Sequence, residues 1–111
     1  MRQGEIYMVR WDPSVGSEYR KTRPAVIISS NAILDRSKLV TCVAISSKIG
    51  KMHQGDILLP KDTLNRLTQD SIIKMHHIST FDGSRFIKYI GHVDDKVAEQ
   101  IKLAIKNHFG L

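Results

Sequence analysis

One cysteine in 111 residues, Cys42, rules out an internal disulfide as a means of holding this chain together. It sits in the apolar run LVTCVAI, a place for a buried structural thiol rather than an exposed nucleophile. Long apolar runs are also missing. None approaches the roughly 20 residues that a membrane-spanning helix needs, and the opening MRQGEIYMVRWDP lacks the apolar centre of a secretory signal. The expectation is a soluble protein of the reducing cytoplasm that makes no membrane contact. Metal and cofactor patterns are absent as well: the five histidines have no cysteine partners and no HExxH spacing, and no glycine-rich phosphate loop is present. No metal and no cofactor are expected. Acidic residues are the minority, 11 against 17 Lys and Arg, and the formal net charge of +6 favours an anionic partner such as nucleic acid or an acidic protein. Solubility alone also accounts for a charge of this size.

What is present is mostly strand. A chain of 111 residues fits one compact domain, residues 1–111, with no second core, internal repeat or linker. EIYMVRWD alternates Ile6 and Met8 against Tyr7, Val9 and Trp11, and Asp12-Pro13 ends it. A loop runs to Thr22, and PAVIISS follows as a strand with Pro24 at its entrance, where a missing N–H is tolerated. NAILDRS reads as a helical turn or loop, LVTCVAIS as a second apolar strand, SKIGKMHQG as a basic loop and DILLP as a short strand. Residues 61–69 have room for one short helix. DSIIKMHHIST then alternates Ile72 and Lys74 against Ile73 and Met75, which sends His76 and His77 to opposite faces. FDGSR makes a turn and FIKYIGHV a last strand.

Only the C-terminal segment has helical periodicity, with Val97, Ile101, Ala104, Ile105 and His108 on one face. Asp94 fits the N-cap and Gly110 the C-terminal close. Short strands followed by one helix predict a mostly β (α+β) fold: a small SH3-like antiparallel barrel with a C-terminal helix covering one opening.

The polar residues left at strand ends are Glu18, Arg20, Lys21 and Arg23, then Ser46 and Ser47, then Lys74, His76 and His77. Such a set suits a phosphodiester, because Arg can hold phosphate oxygens through two parallel hydrogen bonds. In RNA the 2′-hydroxyl is a built-in nucleophile, so cleavage needs only a base, an acid and a charge stabiliser. Glu18 or a neutral His fits the first role, a protonated His the second and Arg23 the third. The same residues also have plain readings. Glu18 and Arg20 fit a solvated loop pair worth less than about 1 kcal/mol, Ser46 fits a backbone hydrogen bond at a strand end, and one of His76 and His77 fits a core or interface residue.

The run GEIYMVRWDPSVGSEYRKTRPAVIIS resembles the N-terminal signature of the MazF/PemK (Kid-like) toxins, with its linked GSE loop and TRP strand entrance. VAISSKI is similar to that family's strand exit, ISTFDGSRF to a later segment, and IGHVDDKVAEQIKLAI to its terminal strand and helix, so the likeness spans nearly the whole chain. The resemblance implies the toxin of a type II toxin–antitoxin pair, a metal-independent, sequence-specific endoribonuclease that cuts single-stranded mRNA to cyclic phosphate and 5′-hydroxyl ends. It further implies a homodimer, a cognate acidic antitoxin, and operator DNA bound only through the antitoxin complex. Carried across residue by residue, it places Arg23, Ser46 and Glu18 as catalytic, with His76 beside them at a position where one branch of the family has Asp. Around them, RNA contacts are expected from Ser17, Tyr19, Arg20, Lys21, Thr22, Ser47, Lys74 and His77; the Arg20-Lys21 pair departs from the small or Gly-containing pair of many relatives and strengthens phosphate attraction. Two alternatives share the barrel: a CcdB-like toxin that binds DNA gyrase without catalysis, and a silent RNA- or antitoxin-binding barrel.

Overall fold

The computed structural model describes residues 1–11 and 22–111. The expected loop before Thr22, with Ser17, Glu18, Tyr19, Arg20 and Lys21, lies outside the described residues, as does Asp12. Six strands form one antiparallel sheet: β1 (Glu5–Arg10), β2 (Thr22–Ile27), β3 (Leu39–Ser46), β4 (Ile57–Leu59), β5 (Ser71–Asp82) and β6 (Phe86–His92). Their spatial order is β4-β5-β3-β2-β1-β6. A single turn of helix, α1 (Asn31–Leu34), links β2 to β3, and α2 (Asp95–Phe109) follows β6. The mostly β expectation holds: the sheet curls as a half-barrel with the C-terminal helix against it.

β2 starts at Thr22, two residues before the predicted entrance, because Thr22 and Arg23 pair with Arg10 and Val9 of β1. Pro24 is accommodated where β2 has only β1 as a neighbour, since pairing with β3 begins one residue later at Ala25. At the far end the chain leaves the sheet after Ile27. Ser29 Oγ there accepts the Thr41 N–H at 2.8 Å, and Ser30 caps α1 through Ile33 N–H at 3.2 Å.

The two sheet faces carry separate apolar clusters. Ile6, Val26, Val43, Ile45, Ile73 and Met75 face α2, which lays Val97, Ile101, Ala104 and Ile105 on them. Val9, Ala25, Ile27, Val40, Cys42 and Phe86 pack on the other face. The predicted caps of α2 are observed. Asp94 accepts the Val97 N–H at 2.8 Å, and Gly110 closes the helix at φ 69°, a left-handed value that a residue with Cβ adopts only with strain. Among the described residues, no helix is long and apolar enough to cross a membrane.

Residues 61–69 form turns rather than the expected short helix. The reason is Asn65, whose fully buried side chain accepts the N–H groups of Asp62 and Leu67 and donates to the Pro60 carbonyl. These bonds coil the segment around one amide. The coil then docks on β6: the His92 N–H donates to Leu64 O at 3.1 Å, and a Cβ on Gly91 would lie 2.4 Å from that carbonyl. Glycine at 91 therefore lets the loop after β4 reach β6, at the opposite end of the strand order.

β5 departs most from simple alternation. Its ladder with β3 passes from Ile45↔Ile73 to Val43↔Ile78, leaving four residues of β5 opposite Ala44 alone. The core-facing set therefore changes parity, from Ile73 before the bulge and Met75 within it to Ile78 after it. Lys74, His76 and His77 all lie in this irregular stretch.

Candidate functional site

Arg23 and Ser46 lie at neighbouring strand ends. Ala25 pairs with Ala44, so the residues two steps outward on each antiparallel strand, Arg23 and Ser46, flank the same end of the β2–β3 pair. Both line one open cavity of about 390 Å³, with Met8, Pro24 and Leu67 supplying apolar wall and Lys48 a second cation. The Arg23 guanidinium makes no salt bridge to any described residue. Ser46 Oγ accepts the Lys48 N–H at 3.1 Å, which leaves the hydroxyl proton for another acceptor. A cation without an anion among the described residues, beside a hydroxyl with a proton to donate, is suited to an anionic oxygen. Ser47 is exposed next to Ser46 and lines the same cavity, whereas Thr22 is exposed one residue before Arg23.

The two histidines of β5 separate. The His76 ring meets His108 of α2 edge to face, with centroids 5.4 Å apart, and both border a different cleft along α2. His77 lies within electrostatic reach of Arg23. Partial loss of water around its ring, followed by the positive charges of Lys74 and Arg23, holds the imidazole below its ordinary pKa. His77 is thus neutral near pH 7 and able to accept a proton. Of the pair, His77 shares the electrostatics of Arg23, and His76 belongs to the helix side.

Lys74 is already engaged. Its ammonium lies 3.1 Å from Asp56 Oδ2 and donates to the Lys51 carbonyl at 3.0 Å, with only 12% of its side chain exposed. The Asp56 carboxylate, fully buried, also accepts the N–H groups of His53 and Met75 at 2.9 and 3.0 Å. Burial pushes the Asp56 pKa up, but the bonds from His53, Lys74 and Met75 together outweigh it and hold the carboxyl below its usual range.

Sequence reasoning passed over three residues at this site. Lys48 lies in the segment read only as a basic loop, and Thr68 and Gln69 in the polar segment 61–69; all three line the cavity with Arg23. Antiparallel pairing of AISS with DSII was the available signal, because Ser46↔Ile72 carries residues 68–71 past the Arg23 edge. Asp56 was missed too, its partners being distant in sequence.

Cys42 is fully buried, and burial alone pushes its thiol up to about 12, so it takes no part in chemistry at neutral pH.

A curled antiparallel sheet carries at one mouth an arginine with no salt bridge among the described residues and a serine hydroxyl, the frame of a small β domain with a basic cavity. Residues 2–109 match the family described as PemK-like, MazF-like toxin of type II toxin-antitoxin system, and the chain belongs to that family. Endoribonuclease MazF9 of Mycobacterium tuberculosis is 34% identical over 116 aligned residues, covering 100% of this chain and 98% of the relative. The crystal structure of MazF from Deinococcus radiodurans superposes with a TM-score of 0.81 at 19% identity, covering 100% of this chain and 97% of the other. A mycobacterial endoribonuclease in complex with its cognate antitoxin gives 0.76 at 19% identity, covering 100% and 94%. These likenesses bear out the family and the fold expected from the GSE, TRP and AISS elements.

Proposed function

We propose that this chain is the toxin of a type II toxin–antitoxin pair and an endoribonuclease that cleaves single-stranded RNA at the Arg23–Ser46 cavity. The observation that carries the reading is the Arg23 guanidinium, without a salt-bridge partner among the described residues, facing the same cavity as the Ser46 hydroxyl, in a chain of this family. An endoribonuclease among its relatives supports cleavage over gyrase binding or a silent barrel. A solved complex of a structural neighbour with its cognate antitoxin supports an antitoxin as partner. On this reading the single domain, residues 1–111, acts as a homodimer in the cytoplasm, and operator DNA is met only through the antitoxin.

In the reaction, a 2′-oxygen of RNA attacks the adjacent phosphorus and the bond from phosphorus to the 5′-oxygen breaks. The 2′-proton passes to a base, and the departing 5′-oxygen takes a proton from an acid. Arg23 neutralises the charge that builds on the phosphoryl oxygens, and the Ser46 hydroxyl donates to one of them. Glu18, by its place in the GSE element, assists proton removal, and His77, neutral at pH 7, is the described group near Arg23 able to share that role. His76, on the α2 side, is left with an RNA-contact or structural role. Thr22 and Ser47 extend the RNA surface beside Arg23 and Ser46, and Ser17, Tyr19, Arg20 and Lys21 join the RNA contacts by their place in the sequence next to the GSE element. The products are a cyclic phosphate and a 5′-hydroxyl.

The test is incubation of purified protein with RNA in EDTA, followed by chemical typing of the new ends. Cyclic phosphate and 5′-hydroxyl ends that disappear in Arg23→Ala are expected; absence of any Arg23-dependent cut would overturn the reading.

A further inference from the structure

The Lys74–Asp56 pair lies behind the segment that runs from Ser46 to β4. That segment, residues 47–55, leaves the cavity at Ser47, carries Lys48 along its wall and returns to the sheet at Asp56. Three bonds that involve a side chain fasten it. Ser46 Oγ takes the Lys48 N–H, Lys74 holds the Lys51 carbonyl, and Asp56 takes the His53 N–H. Lys74 and Asp56 then bond each other, so the loop is tied to β5 through a single buried ion pair. Met75, in the stretch where β5 has no ladder with β3, adds its N–H to the Asp56 carboxylate at 3.0 Å.

A cation that binds phosphate must have its donors open, and Lys74 directs its ammonium at Asp56 and a backbone carbonyl. We propose that Lys74 is a positioning residue: with Asp56 it clamps the loop of residues 47–55 onto the β5 bulge and so fixes Lys48 and the Ser46 hydroxyl against the Arg23 cavity. This rests on the RNA-cleavage reading above. A loop released by about 1 Å would misplace both donors, which is enough to slow a positioned reaction by roughly 10- to 100-fold.

Asp56→Asn separates positioning from phosphate binding, because the two roles give opposite signs. If Lys74 were a phosphate ligand masked by Asp56, neutralising Asp56 would free the ammonium, tighten RNA and preserve cleavage. As a clamp, the pair predicts that Asp56→Asn and Lys74→Gln each lower single-turnover cleavage by roughly 10- to 100-fold. The loss should lie in kcat more than in KM, and the double variant should be no worse than the poorer single. Hydrogen exchange at the His53 and Met75 amides should accelerate in both single variants. Tighter RNA binding with full cleavage in Asp56→Asn, or unchanged exchange at those amides in Lys74→Gln, would overturn the proposal. If Lys74→Gln does not fold, Asp56→Asn carries the test alone. The exchange measurement uses no RNA, so a wild-type protein that cut no RNA would sink the cleavage reading while the clamp was still judged by its amides.

Discussion

Arg23 and Lys74 are both cations within electrostatic reach of His77, yet the fold treats them oppositely. Arg23 stands at an open strand end with no anion among the described residues, whereas Lys74 is nine-tenths covered and bound to the fully buried Asp56. The difference teaches that a basic residue near an active site recruits a ligand only if the protein has not already supplied its counter-charge. Neutralising Arg23 should leave the fold intact and remove function, while neutralising Asp56 should strike the fold first.

The largest expected effect is on catalysis. Arg23→Ala should lower RNA cleavage by roughly 10²- to 10³-fold, the usual cost of losing one charge-stabilising donor, with a urea midpoint close to wild type. A matching loss of stability would erase the contrast between the two cations. Next comes Asp56→Ala, which strands the Lys74 ammonium and frees the His53 and Met75 N–H groups; about 3 kcal/mol of unfolding free energy should be lost in urea titration. A loss within experimental error would mean that the pair is not the anchor described above.

Acid should sharpen the same contrast. Because the Asp56 pKa is depressed on folding, its contribution is complete above the ordinary Asp value of about 4 and declines as pH falls through the lower folded value. In that window the unfolded chain binds more protons, so wild-type stability should fall with acid more steeply than that of Asp56→Asn, as thermal melts between about pH 2 and 5 would show. The smallest effect belongs to a third kind of ion pair. Arg2 and Asp35 approach to 2.7 Å but remain 52% and 65% exposed, so Arg2→Ala should change stability by less than about 1 kcal/mol.

Legibility in the sequence tracked how local each cause was. Asp94 and Gly110 announce α2 because caps act within a few residues, and the β-branched runs of β2 and β3 announce buried strands. Arg23 and Ser46 were legible through the TRP and AISS elements. The bulge in β5 was not, since KMHH reads as ordinary strand and only pairing with β3 reveals four residues against one. Asp56 reads as the polar first residue of the short DILLP strand, with nothing local to mark it as buried. Its burial depends on Lys74, 18 positions away, and on the N–H groups of His53 and Met75. Asn65 escaped for a similar reason: a polar residue in a polar run gives no hint that its amide will organise the turn docking on β6.

Cys42 turns the interior of β3 into a built-in clock. With its thiol fully covered and pushed up to about 12, an alkylating reagent at neutral pH has neither access nor thiolate until the centre of the sheet opens. The rate of labelling at this one sulfur therefore reports how often the sheet parts. Antitoxin or RNA bound to the intact protein can be followed by how far each slows that rate, without adding a probe.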